Sequence, residues 1–335
     1  MSNIKNIDFE LLFRRLTELF SIDGFEEPVL VHGGRMCVNV HIRCNQGSFF
    51  LKQYRQHMTE FVHEVKHAEK YFFDHGVPVI LPIKDKYHRY SFWFDEFWFS
   101  LFPYIEGTIP DVNMSDVTIK SLGNWLGKIH KIGEKYPEDT FRRIRFWDKN
   151  RFYTQYLEIK HTYNQKVEKT KSEEEAMKFL ETKEGIVRQN TFAPSDVERT
   201  NECLLHGDFI YTNVFIDTLG EISHVFDFEK AVKGPIGYEV ARSMMINCFD
   251  NGWSDENINK AKKFINAYRE IHALTFDEFS LGFRTYMTSM AHKGWIEGQI
   301  ILMGSQKHDD ILRAHAMRIS HFNDNWKEFC RLIYY

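Results

Sequence analysis

The stretch LLHGDFIYTNVFID at residues 204–217, continued by VFDFEKA at residues 225–231, decides the fold of this chain. Two apolar runs flank a polar loop that carries Asp208 and, five positions later, Asn213. A further apolar run ends on Asp227. We therefore predict a loop on a small hairpin followed by another strand, with two carboxylates and one amide oxygen converging from short connections.

The residue types in this stretch are those that phosphoryl transfer requires. Mg²⁺ neutralises charge on nucleotide phosphates and prefers hard oxygen ligands, such as Asp227 and the side-chain carbonyl of Asn213. Asp208 is then available to orient an acceptor hydroxyl and to accept its proton. Taken singly, the same residues are explained by a capped turn and a strand end, so the prediction depends on the ordered set.

The ordered set resembles the aminoglycoside phosphotransferase superfamily, which also contains choline, homoserine and methylthioribose kinases. The resemblance lies in HGD at residues 206–208, Asn213 and DFE at residues 227–229. Two positions depart from the protein-kinase pattern: Gly207 takes the place of the usual arginine, and Glu229 takes the place of the glycine after Asp-Phe. Both departures point to the small-molecule kinases.

The resemblance implies an α+β, bilobal, protein-kinase-like fold, with a small lobe built on an antiparallel sheet and a larger, mainly helical lobe. We expect the nucleotide-binding lobe at residues 1–103 and the catalytic and substrate-binding lobe at residues 104–335. The resemblance also implies ATP or GTP as phosphoryl donor and Mg²⁺ as the metal. His206 and Glu229 are expected to support the site.

The small lobe begins with a predicted helix at residues 8–21, followed by three strands between residues 29 and 52. Gly33 and Gly34 lie between two of these strands. They would let the backbone approach phosphates, and a plain hairpin turn explains the pair equally well. Lys52 ends an apolar strand, so its ammonium group needs an anionic partner.

In the resembled family, a lysine at the place of Lys52 contacts the nucleotide phosphates and pairs with a glutamate on a helix. The helix predicted at about residues 58–75 offers Glu60 and Glu64, one turn apart on one face. We assign Glu64, because its distance from the GVP sequence that ends the helix better matches the family.

An aromatic hairpin is predicted at residues 90–105, with its turn at Asp95 and Glu96. Its second strand leads into Pro103 and Tyr104, which resemble the linker between the lobes of the family. The resemblance implies that backbone groups of this linker bind the adenine edge. After the linker the chain is predicted to be mainly helical.

Composition excludes several other classes of protein. Of the 335 residues, 43% are hydrophobic and 27% charged, and no apolar run approaches the roughly 20 residues of a membrane span. The net charge is −4 without a long basic stripe, so nucleic acid is not expected as a partner. Five scattered cysteines and the absence of a signal-peptide pattern indicate a cytoplasmic protein, and no oligomeric state is indicated.

The sequence thus predicts an ATP-dependent kinase that phosphorylates a hydroxyl of a small molecule. Two alternatives are a nucleotide-binding regulator without turnover and a protein kinase. None of the expected polar residues is missing, which disfavours the regulator. Only Lys230 to Phe249 separate the DFE sequence from the following helices, which leaves little room for an activation loop. Aminoglycosides, amino alcohols, homoserine and modified sugars all remain compatible acceptors.

Overall fold

The computed structural model describes residues 7–31, 38–54, 58–137, 141–197, 200–322 and 325–335. The chain divides into two compact units. Unit 1 contains the residues up to Pro110 together with His206–Asp208 and Thr212–Ala231. Unit 2 contains Asp111–Leu205, Phe209–Tyr211 and Val232–Tyr335. These units group residues by contact, and the predicted lobes at residues 1–103 and 104–335 stay a prediction.

Unit 1 is built on a five-stranded antiparallel sheet. Its strands are β1 (Val29–Leu30), β2 (Asn39–Cys44), β3 (Gly47–Gln53), β4 (Phe92–Phe94) and β5 (Phe97–Pro103), in the spatial order β1-β2-β3-β5-β4. The β4–β5 hairpin turns at Asp95 and Glu96, which both have positive φ, as the tight turns that match strand twist require. The predicted strands, and the turn at these two residues, are confirmed.

Two helices accompany the sheet in unit 1. Helix α1 (Phe9–Phe20) buries Leu12, Leu16 and Leu19, which are spaced three and four residues apart, in a core shared with sheet residues. Helix α2 (Val62–Asp74) is followed by Gly76 at φ +88°. Helix α1 lies where the apolar periodicity predicts a helix, and α2 lies within the predicted range of about residues 58–75 but begins at Val62.

The catalytic stretch forms strands β6 (Glu202–Leu205), β7 (Val214–Ile216) and β8 (Ile222–Val225), followed by β9 (Val232–Pro235). The prediction that the two strands flanking the polar loop form a hairpin is wrong, because β6 and β7 do not pair with each other. Strand β7 pairs with β8, and β6 pairs with β9. The short β7–β8 connection is closed locally, because the Asp217 side chain accepts hydrogen bonds from the backbone N–H groups of Leu219 and Glu221.

Unit 2 is mainly helical in its described part, as predicted. Its helices are α3 (Asp116–Gly133), α4 (Lys149–Gln165), α5 (Lys171–Gln189), α6 (Ile236–Phe249), α7 (Asp255–Ile271), α8 (Phe276–Ala291), α9 (Trp295–Ile301), α10 (Asp309–Phe322) and α11 (Trp326–Tyr334). Within the ranges given above, no helix combines the length and apolar character that crossing a membrane requires.

Helices α6 and α8 cross at a pair of glycines. A Cβ atom added to Gly282 would lie 2.0 Å from the carbonyl carbon of Gly237. The atoms at that distance belong to the backbone, which cannot move aside as a flexible side chain would. The crossing therefore requires the absence of a side chain at these two positions.

We predict that Gly282→Ala lowers the free energy of unfolding by roughly 2–3 kcal/mol, because the added methyl group meets backbone. Gly185→Ala in α5 is the matched control, since an added Cβ there meets nothing within 4 Å. The control should gain about 0.5–1 kcal/mol, because alanine favours the helix over glycine. Urea unfolding of both variants measures the difference, and equal stabilities would contradict the tight crossing.

Candidate active site

The polar residues singled out in the sequence come together within unit 1. The loop between β6 and β7 carries Asp208 and Asn213, and the segment after β8 carries Asp227 and Glu229. Lys52 reaches the same cluster from β3. The five residues therefore come from one strand of the sheet, from the β6–β7 loop and from the segment after β8.

The loop takes its shape from His206 and Gly207. His206 is fully buried, its Nε2 donates to the Phe226 carbonyl at 3.0 Å, and its Nδ1 accepts from the Asp208 N–H at 3.2 Å. Gly207 has φ +81°, and a Cβ atom there would lie 1.9 Å from the Lys230 carbonyl oxygen. The glycine that replaces the arginine of protein kinases is therefore required by this backbone.

Asn213 fixes the other end of the loop. The side-chain Nδ2 of Asn213 donates to the backbone carbonyl of Asp208 at 2.9 Å. The backbone carbonyl of Asn213 accepts from the Phe226 N–H at 3.0 Å. The second bond extends the β7–β8 pairing by one step, which places Asn213 opposite the residue before Asp227. The amide oxygen of Asn213 and the carboxylate of Asp227 thus belong to the same end of one hairpin.

Asp227 leaves the hairpin with a left-handed backbone, at φ 67° and ψ 58°. Residues other than glycine rarely adopt this backbone conformation. Where they do, the residue is often part of a functional site. Residues Phe228–Lys230 then form a single 3-10 turn. The turn brings the carboxylates of Asp227 and Glu229 to the same cation.

That cation is Lys52. Its Nζ lies 2.8 Å from Oδ1 of Asp227 and 2.9 Å from Oε1 of Glu229. Burial lowers the pKa of Lys52, but the two carboxylates outweigh it and hold the pKa well above its usual range. Burial likewise raises the pKa of Asp227, and Lys52 more than offsets this, so the pKa of Asp227 is lowered. Both groups are charged at neutral pH.

Lys230 is a residue of the site that the sequence analysis missed. Its Nζ lies 2.7 Å from Oδ2 of Asp208, with about half of the lysine side chain exposed. The two predicted catalytic aspartates therefore contact different lysines. The position of Lys230 directly after the DFE sequence could have suggested a role in the site. The direction of its side chain depends on the 3-10 turn, which the sequence analysis did not predict.

The structure does not bring Glu64 to Lys52. One carboxylate oxygen of Glu64 is buried and, among the described residues, has no hydrogen-bond partner. From α2 it is Glu69 that faces the cluster. Burial raises the pKa of Glu69, its partner Lys66 at 2.7 Å opposes this, and the charges of Lys52 and Asp227 also act on it.

Glu69 could have been found from the apolar pattern of α2. The helix buries Val62, Val65, Ala68 and Phe72, and Glu69 lies on this buried stripe. A charged residue on a buried stripe needs a partner, and Lys66 supplies it three residues earlier. Tilted ring contacts continue from the same face, with centroid distances of 5.4 Å between Phe72 and Phe228 and 4.2 Å between Phe228 and His206.

The remaining predicted nucleotide contacts have different outcomes. Gly33 and Gly34 lie outside the described residues. Pro103 ends β5, and the Tyr104 N–H donates to the Ser48 carbonyl at 3.2 Å. The Tyr104 ring stacks on His41 with centroids 3.8 Å apart. Since that N–H already has a partner, a contact from Tyr104 to adenine would have to use another group.

The donor set fits Mg²⁺ bound together with phosphates. Among the residues that the structure describes, no three His, Cys, Asp or Glu side chains form a metal site of their own. Mg²⁺ at kinase sites usually takes one or two protein ligands and completes its shell with phosphates and water. Asn213 and Asp227 could supply such a pair of oxygen ligands, and Asp227 is ionised.

This sheet, this loop and these paired charges define a phosphotransferase with a kinase-like fold. The model of the phosphotransferase enzyme family known as APH matches residues 30–274. The chain belongs to this family. The predicted enzyme class, an ATP-dependent phosphotransferase that acts on an alcohol group, is thereby confirmed.

Solved structures share the fold at low sequence identity. An amicoumacin kinase bound to AMP-PNP and Ca²⁺ has 12% identity and a TM-score of 0.65, covering 96% of this chain and 93% of its own. A spectinomycin phosphotransferase bound to ADP and its antibiotic has 15% identity and a TM-score of 0.63, covering 97% and 98%. A microcompartment-associated aminopropanol kinase has 12% identity and a TM-score of 0.63, covering 97% and 99%. The comparison with curated proteins gives no match.

We predict that Gly207→Ala reduces transfer at least tenfold and lowers the stability of the protein by roughly 2–3 kcal/mol, because the methyl group meets the Lys230 carbonyl. Gly76→Ala is the control. Gly76 also has positive φ, but an added Cβ meets nothing within 4 Å. The control should lose only about 1 kcal/mol, the cost of the left-handed backbone, and keep its activity. Thermal unfolding and turnover separate the two, and equal losses would show that φ alone matters at Gly207.

Proposed function

We propose that this chain transfers the γ-phosphoryl group of ATP or GTP to a hydroxyl of a small molecule, with Asp208 as the base. Aminoglycoside-like compounds and amino alcohols are the acceptor classes from which we start. The observation that carries the proposal is that the two aspartates have different charge partners. Asp208 contacts Lys230, and Asp227 contacts Lys52. Two carboxylates with different charge partners suit two different roles.

Asp208 is the residue suited to the acceptor. Its backbone is fixed on both sides, by the His206 ring and by the Asn213 amide. Its carboxylate is thereby presented from a braced loop, where it orients the hydroxyl and accepts its proton. Transfer is then direct, without a covalent enzyme intermediate. Lys230 holds Oδ2 of Asp208 and steadies the carboxylate until substrate is present.

Asp227 and Asn213 are the residues suited to the metal. When bound, Mg²⁺ neutralises charge on the phosphates during transfer. Asp227 would hold it with an anionic oxygen and Asn213 with a neutral one. Glu229 keeps Lys52 in place while Asp227 serves the metal, because the Lys52 ammonium contacts both carboxylates.

The segment after Asp227 supports a small acceptor. The turn Phe228–Lys230 and Ala231 alone separate Asp227 from β9, and α6 begins directly after β9. A protein kinase would need a longer segment there to bind a peptide. The structures with similar folds are named for kinases of amicoumacin and aminopropanol and for spectinomycin phosphotransferase, all of which act on small molecules.

The four described cysteines, Cys44, Cys203, Cys248 and Cys330, have free thiols. Free thiols persist in reducing compartments. This supports the cytoplasm as the place where the enzyme works. ATP is the donor expected there at the highest concentration, and GTP is the second donor to assay.

We predict that Lys52→Ala lowers kcat/KM for ATP by tens to hundreds of fold, or roughly 2–3 kcal/mol of transition-state stabilisation. Lys70→Ala removes an exposed lysine that pairs with Asp74 on α2 and serves as the control. Because Lys52→Ala leaves two carboxylates without their cation, its folding is checked by circular dichroism. A folded variant with unchanged kcat/KM would contradict the phosphate role.

Substitution of the two aspartates should impair the enzyme in different ways. Asp208→Asn keeps the shape of the side chain but removes its charge, so Mg-nucleotide should bind almost normally while transfer falls by about 10²–10⁴. Asp227→Asn replaces an anionic metal ligand, so the Mg²⁺ requirement should rise and nucleotide binding should weaken along with turnover.

Calorimetric titration of Mg-nucleotide measures binding in each variant. Acceptor-dependent ADP release over a panel of hydroxylated metabolites and antibiotics measures transfer. The assigned roles are reversed if Asp208→Asn loses metal-dependent binding while Asp227→Asn keeps it. The proposed function fails if no acceptor on the panel stimulates ADP release by the unmodified protein.

A further inference from the structure

Helix α6 buries two polar side chains that the proposed mechanism does not use. Ser243 and Asn247 lie one turn apart on one face of the helix, and they are 0% and 2% exposed. Around them the helix buries apolar side chains, among them Met244 and Cys248. A buried hydroxyl or amide group costs free energy unless it forms hydrogen bonds, so the partners of these two side chains indicate their role.

The partners are backbone groups of the loop that carries Asp208. The backbone N–H of Tyr211 donates to Oδ1 of Asn247 at 2.7 Å. The Ser243 hydroxyl donates to the backbone carbonyl of Phe209 at 2.6 Å. Nδ2 of Asn247 donates to Oγ of Ser243 at 3.0 Å and joins the two bonds into one network. We call Ser243 and Asn247 the loop clamp.

The hydrogen bonds of the loop clamp run in one direction. A backbone N–H only donates and a backbone carbonyl only accepts, so Asn247 turns its carbonyl oxygen to Tyr211 and its amino group to Ser243. The hydroxyl hydrogen of Ser243 is then directed to the Phe209 carbonyl. The loop clamp therefore fixes the orientation of both peptide groups that flank Ile210.

A second contact holds the ring of Tyr211. Its hydroxyl donates to Oδ2 of Asp250 at 3.1 Å, and Asp250 is the C-cap of α6. Oδ1 of Asp250 accepts from Arg318 of α10 at 2.5 Å, and the Arg318 side chain is only 3% exposed. Ser243, Asn247 and Asp250 are spaced by four and three residues, which places them on one face of the helix. Tyr211 is thus held at its backbone and at its ring.

The loop clamp is internal to unit 2, since Phe209–Tyr211 and α6 both belong to that unit. Its effect reaches Asp208 through the chain. Phe209 is held by its carbonyl and by a ring that is completely buried. The peptide bond that joins Phe209 to Asp208 therefore starts from a fixed residue, which limits the positions that the Asp208 carboxylate can take.

We propose that Ser243 and Asn247 are positioning residues for Asp208. They act on transfer through the backbone of the loop, without contacting nucleotide or acceptor. This inference rests on the proposed function, because it takes Asp208 as the base. The effect on turnover can be large, since a displacement of about 1 Å in a catalytic group can lower the rate about 10²-fold.

The first test measures the loop without turnover. Amide hydrogen exchange at Tyr211 is followed by NMR in the unmodified protein, Asn247→Ala and Asn257→Ala. Asn257 of α7 is the matched control, because its side chain is 5% exposed and donates to the Gly252 carbonyl at 2.9 Å. We expect Asn247→Ala to accelerate exchange at least about tenfold and Asn257→Ala to leave it unchanged. Equal exchange in the three proteins would overturn the proposal.

Ser243→Ala provides a second variant, so the test does not depend on the folding of Asn247→Ala. It removes one hydroxyl and leaves Oδ1 of Asn247 in place as the acceptor for Tyr211. Because the hydrogen bonds form one network, we expect Ser243→Ala also to accelerate exchange at Tyr211. Unchanged exchange in Ser243→Ala would contradict a clamp in which the two residues act together.

The second test asks whether the loop clamp acts through Asp208. Acceptor-dependent ADP release gives kcat, and calorimetry gives the Kd of Mg-nucleotide, for Asn247→Ala, Asp208→Asn and the double variant. Asn247→Ala should lower kcat about 10–100-fold and change Kd less than about twofold. In the double variant the second substitution should lower kcat less than about twofold, because no base is left to position.

The outcomes separate this proposal from the proposed function. A loss of kcat by the same factor with and without Asp208, or an equal loss in Asn257→Ala, would show a merely structural role and overturn the proposal. If exchange at Tyr211 rises but no acceptor stimulates ADP release, the loop clamp stands and the proposed function fails. If acceptors are phosphorylated and Asn247→Ala changes neither exchange nor kcat, the proposed function stands and the positioning role fails.

Discussion

The ammonium group of Lys52 is the charge on which the arrangement of unit 1 depends. A lysine that stays charged in a largely buried position needs carboxylate partners, and here Asp227 and Glu229 both lie at hydrogen-bond distance. The contact joins β3 of the sheet to the turn that follows β8. Removing one partner from such a buried pair typically costs about 3–5 kcal/mol, so the same interaction shapes the site and holds two elements together.

The sequence was sufficient to predict that the candidate catalytic residues converge, but not to predict all of their partners. The spacing of Asp208, Asn213 and Asp227 predicts a converging set because short connections limit how far apart they can be. The pairing of β6 with β9 was missed, because strand pairing depends on tertiary contacts that apolar runs do not encode. The helix glutamate was missed for a related reason. Chain spacing favoured Glu64, whereas the buried stripe of α2 carries Glu69.

The contact between Gly207 and the Lys230 carbonyl also bears on how the enzyme is controlled. Many kinases are switched by a phosphate on a long segment after the metal-binding aspartate, which an arginine captures and orders. In this chain the space for a side chain at residue 207 is filled by backbone, and the corresponding segment is one turn long. The segment between Asp227 and β9 is therefore too short to act as such a phosphate-ordered element.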